Sequence, residues 1–216
     1  ALMTTLEENL RMVSDSIAYL KSQGVEVIFD AEHFYDGYKA NPDYSLQVIE
    51  AAVEAGADSI DLCETNGGAL PFEVEEITRA VTSRFPQQRF GVHCHNDSGC
   101  AVANTLAAVA AGCTQIQGTV NGYGERVGNC DILCAIADLE LKMDRVVVGR
   151  ENLKQLTSVA RSVAETCNMV HSMHHPYTGS SAFAHKGGLH ASAIARFPEA
   201  YEHTKPENIG NTTRVL

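Results

Sequence analysis

Phe90-Gly91-Val92-His93-Cys94-His95-Asn96-Asp97 decides how the chain is read. Phe90-Gly91-Val92 has the character of the end of a buried strand. Residues two apart on a strand face the same way, roughly 6.5–7 Å apart. His93 and His95 therefore present two imidazoles to one side while Cys94 points to the other. A lone histidine is ordinarily a hydrogen-bonded surface or core residue. Two imidazoles side by side at the C-terminal end of a strand, followed at once by Asn-Asp, suit a divalent metal. After an Ala-rich run comes Asn121-Gly-Tyr-Gly-Glu125-Arg126-Val-Gly-Asn129, a second polar, glycine-rich stretch placed just after apolar sequence.

Outward from this stretch the same pattern repeats. Leu6, Leu10, Val13, Ile17 and Leu20 recur at steps of three and four, which predicts a helix. Thr4-x-x-Glu7 or Thr5-x-x-Glu8 would cap it, and Gly24 would close it. Val25–Phe29 predicts a strand ending in Asp30-Ala31-Glu32-His33. Asn41-Pro42 opens a helix with Leu46, Ile49 and Val53 on its buried stripe. Ser59–Cys63 is the next strand, ending in Glu64-Thr65-Asn66-Gly67-Gly68. A third helix carries Phe72, Ile77, Val81 and Phe85, and a fourth carries Val102, Leu106 and Val109. A strand is expected over 113–120 and a fifth helix over about 131–143. Helix and strand alternate with short connections, which implies right-handed β/α units and a parallel sheet.

The chemically loaded residues all follow strands, as on the active face of a (β/α)8 barrel. An open doubly wound sheet also collects function there, but no Gly-x-Gly-x-x-Gly opens a helix after the first strand. Four strands make half a barrel. The expected architecture is thus α/β, a partial (β/α)8 barrel over 1–148 and a small helical subdomain over 149–216, with the chain a fragment lacking the earlier half-barrel.

Composition limits the rest. The chain has 216 residues, 44% of them hydrophobic and 20% charged, which is a globular balance. No apolar run approaches the ~18 residues of a membrane span. Ala1–Thr5 reads as leading into an acidic helix rather than as a secretory signal. A net charge of -11 argues against a nucleic-acid partner. The seven cysteines include no Cys-x-x-Cys pair and sit in apolar segments, so they read as reduced core residues of a cytoplasmic protein. Zinc on Cys130 and Cys134 is disfavoured, and His171, His174 and His175, with no accompanying carboxylate or cysteine pattern, read as structural.

Three motifs in this order, His93-x-His95-Asn-Asp, Gly124-Glu-Arg-Val-Gly-Asn129 and Phe183-Ala-His-Lys-Gly-Gly-Leu-His190, resemble the isopropylmalate, homocitrate and citramalate synthase family. These are metal-dependent barrel enzymes related to hydroxymethylglutaryl-CoA lyase. Asp30–Pro42 and Cys63–Pro71 are most similar to the citramalate-forming branch. The resemblance implies a Claisen-type condensation of acetyl-CoA with a 2-oxo acid, pyruvate in that branch, within branched-chain amino-acid biosynthesis. It implies His93, His95 and Asn129 around a Mg, Mn or Zn ion, Glu32 in proton transfer or orientation, and Thr65 on the oxo-acid carboxylate. His190 would do acid–base work on the acetyl-CoA side, reaching a neighbouring subunit's site in a homodimer. Glu125-Arg126 is either an internal ion pair or a substrate contact. The family's first-strand arginine and aspartate have no counterpart here, so turnover by this chain alone is not expected. A carbon–carbon lyase and a non-catalytic assembly module remain as alternatives.

Overall fold

The computed structural model describes residues 3–215. Ala1 and Leu2, read above as leading into the first helix, lie outside these residues, as does Leu216. Two compact units divide the chain, 1–130 and 131–216.

The first unit alternates helix and strand: α1 (Leu6–Ser22), β1 (Ile28–Ala31), α2 (Phe34–Ala40), α3 (Pro42–Glu54), β2 (Ser59–Glu64), α4 (Pro71–Arg84), β3 (Phe90–Cys94), α5 (Ala101–Ala110) and β4 (Gln115–Gln117). The strands form one parallel sheet in the order β1-β2-β3-β4. That is the arrangement successive β/α units give in part of a barrel. β2 is buried along its whole length, with Ile60 and Leu62 fully enclosed. Asp30, Asp61, Gly91 and Gln115 stand in register across all four strands, and Cys63, His93 and Gln117 do so one layer further on.

Local signals in the sequence account for most of this. Thr5, not Thr4, caps α1, its Oγ1 accepting from the Glu8 N–H at 3.1 Å. Asn41 caps α3 through Oδ1 and the Tyr44 N–H, with Pro42 in the first turn, where its missing N–H costs nothing. Of the α1 stripe, Ile17 is buried while Leu6 and Leu20 stay exposed.

Four elements differ from the sequence reading. The first strand starts later, at Ile28, because Asp58 occupies both backbone groups of Val27: its Oδ2 accepts from Val27 N–H at 2.7 Å and its N–H donates to Val27 C=O at 2.9 Å. The fourth strand is only three residues long. Thr119 N–H turns to the Cys130 carbonyl at 3.0 Å, and Val120–Gly122 winds into a 3-10 turn. On α5 the fully buried face is small and partly polar, made of Ala101, Asn104, Thr105 and Ala108, while Val102, Leu106 and Val109 are only half buried. Small side chains let this helix approach α4 closely. The short α2 lies in what reads as a loop, anchored by the fully buried Tyr35, whose hydroxyl bonds Thr78 Oγ1 at 2.7 Å.

The second unit holds α6 (Ile132–Lys142), α7 (Arg150–Leu153), α8 (Leu156–Thr166), β5 (Ala184–His185), α9 (Gly188–Ile194) and β6 (Arg214–Val215), the two strands pairing in parallel. By packing, α6 sorts with this unit, although the alternation of the sequence continues through it. Glu140 is buried on α6, and its Oε1 accepts from the backbone N–H groups of Val147, Val148 and Gly149 at 3.1, 2.6 and 2.8 Å. This nest of donors outweighs burial and holds the carboxyl below its ordinary pKa. Among the described residues no helix is long and apolar enough to cross a membrane.

Candidate metal centre

His93 is the penultimate residue of β3, and His95 follows the strand, held by its N–H to the Glu64 carbonyl at 3.1 Å. Cys94 between them is fully buried on the opposite side, as the strand period requires. The two imidazole centroids lie 5.3 Å apart. Asn129 comes to the same place by a different route. The glycine-rich loop folds back so that Asn129 forms an isolated antiparallel bridge with His95, Asn129 N–H reaches the Gly122 carbonyl at 3.0 Å, and Cys130 N–H reaches the Cys94 carbonyl at 2.8 Å. Asn129 is 8% exposed and places Oδ1 2.9 Å from His93 Nε2.

The protonation of that contact follows from its neighbours. Gln117 Nε2 lies between the carboxylates of Asp30 and Asp61 and donates to both. Its Oε1 therefore faces His93 Nδ1, 2.8 Å away, and can only accept, so Nδ1 carries the hydrogen. His93 Nε2 is left with a lone pair directed at a second acceptor, Asn129 Oδ1. Two acceptors at 2.9 Å are reconciled by a cation between them, or by turning the Asn129 amide so that Nδ2, whose contact with the Tyr123 carbonyl is a long 3.5 Å, donates to Nε2. Beside them, His95 Nδ1 is shielded from solvent and has no hydrogen-bond partner among the described residues. Burial, with Arg126 and His93 nearby, lowers the His95 pKa, so the ring is disposed to be neutral and to donate a lone pair. This donor set fits a divalent cation.

Around these three residues the loops are cross-tied. Arg126 forms a two-pronged ion pair with Asp97, both contacts 2.8 Å, and its NH2 group also reaches the Thr65 carbonyl at 2.7 Å. Arg126 thus pairs with Asp97 and not with its neighbour Glu125, and it joins the loops after β2, β3 and β4. Thr65 Oγ1 accepts from the His33 N–H at 2.9 Å, leaving the hydroxyl proton free to donate. Glu32 is exposed just after β1. His190 belongs to the second unit, exposed on α9 with its ring centroid 4.5 Å from that of Tyr201. In the same unit His185 Nε2 lies 3.6 Å from Glu202 Oε1.

Sequence reasoning did not single out Gln115, Gln117 and Asp61. Asp61 is fully buried on the central strand, bonded by Gln115 and Gln117, with Oδ1 unpartnered among the described residues. The signal was present: Gln115 and Gln117 repeat at period two on a short strand, where an apolar interior would have placed Val or Ile. Burial, then the nearby Asp30 carboxylate, push the Asp61 carboxyl up to about 6, although the two glutamine bonds act the other way. A folded-state pKa above the unfolded value means that the folded chain holds this proton more tightly. Its contribution to stability is present below about pH 4, fades as pH rises to about 6, and is absent above that. Asp61→Asn is expected to remove this loss. In the metal-free chain the stability difference between variant and wild type should grow in favour of the variant by up to ~3 kcal/mol between pH 4 and pH 7. Urea denaturation at the two pH values measures it, and a pH-independent difference would show that Asp61 is ionised throughout.

A family model described as HMGL-like matches residues 1–163, and one described as homocitrate synthase post-HMGL domain-like matches 177–216. The (R)-citramalate synthase of Aquifex aeolicus is 54% identical over 215 residues, covering 100% of this chain and 41% of that protein. The homocitrate synthase of Sulfolobus acidocaldarius is 39% identical, covering 97% and 43%. The chain therefore spans about two fifths of the length of the curated relatives it matches. A crystal structure of the Bacillus subtilis HMG-CoA lyase shares the fold, with a TM-score of 0.64 at 23% identity over 77% of this chain and 58% of that one. On the match across its first 163 residues, the chain belongs to the HMGL-like family.

Proposed function

We propose that this chain is part of a metal-dependent acyltransferase of the (R)-citramalate synthase type, which condenses acetyl-CoA with pyruvate. One observation supports this most: the facing acceptors His93 Nε2 and Asn129 Oδ1, beside the unpartnered His95 Nδ1, form a neutral donor set at the strand ends. His93, His95 and Asn129 would hold a Mg, Mn or Zn ion. When bound, such an ion supplies a template and Lewis acid for the ketone and carboxylate of a 2-oxo acid.

The remaining steps fall to the chain's own groups. Gln117 fixes the His93 tautomer through Nδ1. The free Thr65 hydroxyl proton donates to the oxo-acid carboxylate. Arg126, paired with Asp97, keeps the loops that carry Thr65, His95 and Asn129 in one arrangement. Glu32 orients the substrate or takes part in proton transfer, and His190 of a partner copy in a homodimer exchanges a proton on the acetyl-CoA side. The methyl group of acetyl-CoA gives up a proton. The resulting enolate adds to the ketone carbon, the alkoxide formed is protonated, and water cleaves the thioester to release CoA. The net charge of -11 and the largely buried cysteines fit a cytoplasmic enzyme of small anionic metabolites with no nucleic-acid or membrane partner.

The test is CoA-thiol release by a longer protein containing this chain, supplied with acetyl-CoA and one of pyruvate, 2-oxoisovalerate or 2-oxoglutarate. Pyruvate should be preferred by at least about tenfold in kcat/KM, and the isolated chain should be inactive. Preference for either other acid would move the assignment to the isopropylmalate or homocitrate branch. Cleavage of hydroxymethylglutaryl-CoA with no condensation would replace it with the lyase reading.

A further inference from the structure

Asp131, Cys134 and His175 come together in the second unit, and the function proposed above uses none of them. Asp131 is the N-cap of α6, its Oδ1 accepting from the Leu133 N–H at 3.2 Å. That leaves Oδ2 free to turn away from the helix. Two groups converge on this one oxygen, His175 Nε2 at 2.7 Å and Cys134 Sγ at 2.9 Å. The three potential ligand atoms all lie within 4.8 Å of one another. Cys134 is 5% exposed, and the His175 and Asp131 side chains are 11% and 13% exposed. The cysteine sits one turn beyond the cap, so Asp131 and Cys134 share an edge of α6. The histidine arrives from the segment that follows α8, some forty residues later in sequence.

The state of the histidine is informative. His175 Nδ1 lies 2.8 Å from the Pro176 carbonyl, which can only accept, so Nδ1 carries a hydrogen. Nε2 faces the Asp131 carboxylate at 2.7 Å, so in the metal-free chain it holds the proton of an ion pair, and a metal would take that proton's place. A ring whose far nitrogen donates to a backbone carbonyl while its near nitrogen faces a carboxylate and a sulfur has the outer-sphere arrangement of a metal-bound histidine. His171 adds a second observation. Its ring is 4.9 Å from that of His175, and its Nδ1 is buried with no partner among the described residues. Nitrogen, oxygen and sulfur donors together select zinc over magnesium or calcium. Ligand atoms around tetrahedral zinc stand roughly 3.3–3.7 Å apart, so side-chain shifts of about an ångström would admit the ion.

We propose that Asp131, Cys134 and His175 form a zinc site that fastens the start of α6 to the 171–179 segment, with His171 or water as the fourth ligand. The cysteine enters as thiolate, giving its proton to solvent. Its ligand chemistry separates this site from His93, His95 and Asn129, which offer nitrogen and oxygen only. Sequence spacing hid it: Cys130 lies before the helix rather than on a face shared with Cys134, and the carboxylate and thiol that the 171–175 histidines lack locally come from far upstream.

Cobalt(II) titration of the metal-stripped chain tests this, because thiolate bound to cobalt gives a charge-transfer band in the near ultraviolet. One equivalent should produce the band in the wild type and equally in a His93→Ala/His95→Ala double variant. Cys134→Ser should abolish it, and His175→Gln should weaken cobalt binding by at least about tenfold. Zinc should also slow alkylation of Cys134 in the wild type about tenfold or more, located by peptide mass, which holds even where a variant fails to fold. Absence of a thiolate band in the wild type, its persistence in a folded Cys134→Ser variant, or zinc protection confined to another cysteine would overturn the site and leave Asp131–His175 as an ion pair alone. A band that disappears only with the His93→Ala/His95→Ala change would likewise overturn it. The proposal stands or falls separately from the condensation reaction.

Discussion

Replacing His93 and His95 together with alanine is expected to abolish divalent-metal binding at the strand ends and to lower turnover of the longer protein by roughly three orders of magnitude, several kcal/mol of transition-state stabilisation. Both rings are only partly buried, so fold stability should change little. The loss should be graded by what each group does. Asn129→Ala removes one donor and should reduce metal affinity strongly while leaving β3 intact. Gln117→Leu leaves all three donors in place but frees the His93 ring, because Nδ1 loses its 2.8 Å partner. A loss of about 10–100-fold in metal affinity is the usual cost of removing such a supporting bond. Gln117→Glu combined with Asp61→Asn restores an acceptor at the same atom while the new carboxylate faces an amide donor in place of the Asp61 carboxylate, and should recover most of it. This rescue distinguishes a positioning role from simple packing. Isothermal titration with Mn(II) and steady-state kinetics supply the readouts. Turnover within tenfold of wild type in the double histidine variant would remove the metal from the reaction and with it the proposed function.

The fold was legible where local chemistry and tertiary packing agree. The Asn41-Pro42 start and the Thr5 cap each act within one helical turn and are found as read, whereas the reciprocal half of the Thr5-x-x-Glu8 box is not formed, the Glu8 carboxylate bonding Arg11. Ile60 and Leu62 mark β2, which is buried along its whole length with Ser59, Asp61 and Glu64 enclosed beside them. Legibility failed where a distant group decides the backbone. Asp58 claims Val27 and delays β1; Cys130 claims Thr119 and ends β4 early. Neither partner is marked by residue type. The site divides in the same way. His93 and His95 are paired by strand period alone, so their neighbourhood follows from sequence. Asn129 arrives through a loop of six residues between Gly122 and itself, and only family resemblance pointed to it. Asp61 and Gln117 escaped notice because a polar residue within a strand ordinarily marks the solvent side, whereas here it lines the interior behind the imidazoles.

Gly128→Ala should be the most damaging single change in the glycine-rich loop. Gly128 has φ +102°, a region that side-chain-bearing residues avoid, and an added Cβ would fall on the Gly122 carbonyl oxygen. That same oxygen accepts the Asn129 N–H at 3.0 Å, and Gly128's own carbonyl accepts the Asn96 N–H at 3.0 Å. Relieving the overlap therefore breaks the bonds that carry Asn129 to His93 and hold the start of the loop after β3. Backbone strain together with lost hydrogen bonds amounts to about 3 kcal/mol, which for a protein of this size lowers Tm by roughly 6–12 °C. Metal affinity should fall at least about a hundredfold, as when a ligand is lost. Gly124→Ala separates the two effects. Gly124 has no positive φ to surrender, and its added Cβ would meet the Asn129 carboxamide nitrogen rather than backbone. The carboxamide can rotate away, so stability should hold within about 1 kcal/mol while metal affinity still drops, because Oδ1 leaves its position 2.9 Å from His93 Nε2. Equal destabilisation by both alanines would mean that the loop fails as a whole. Undiminished metal binding by Gly128→Ala would show that Asn129 is not among the ligands, and the pairing of carboxamide and imidazole would then be no more than a hydrogen bond that closes the loop.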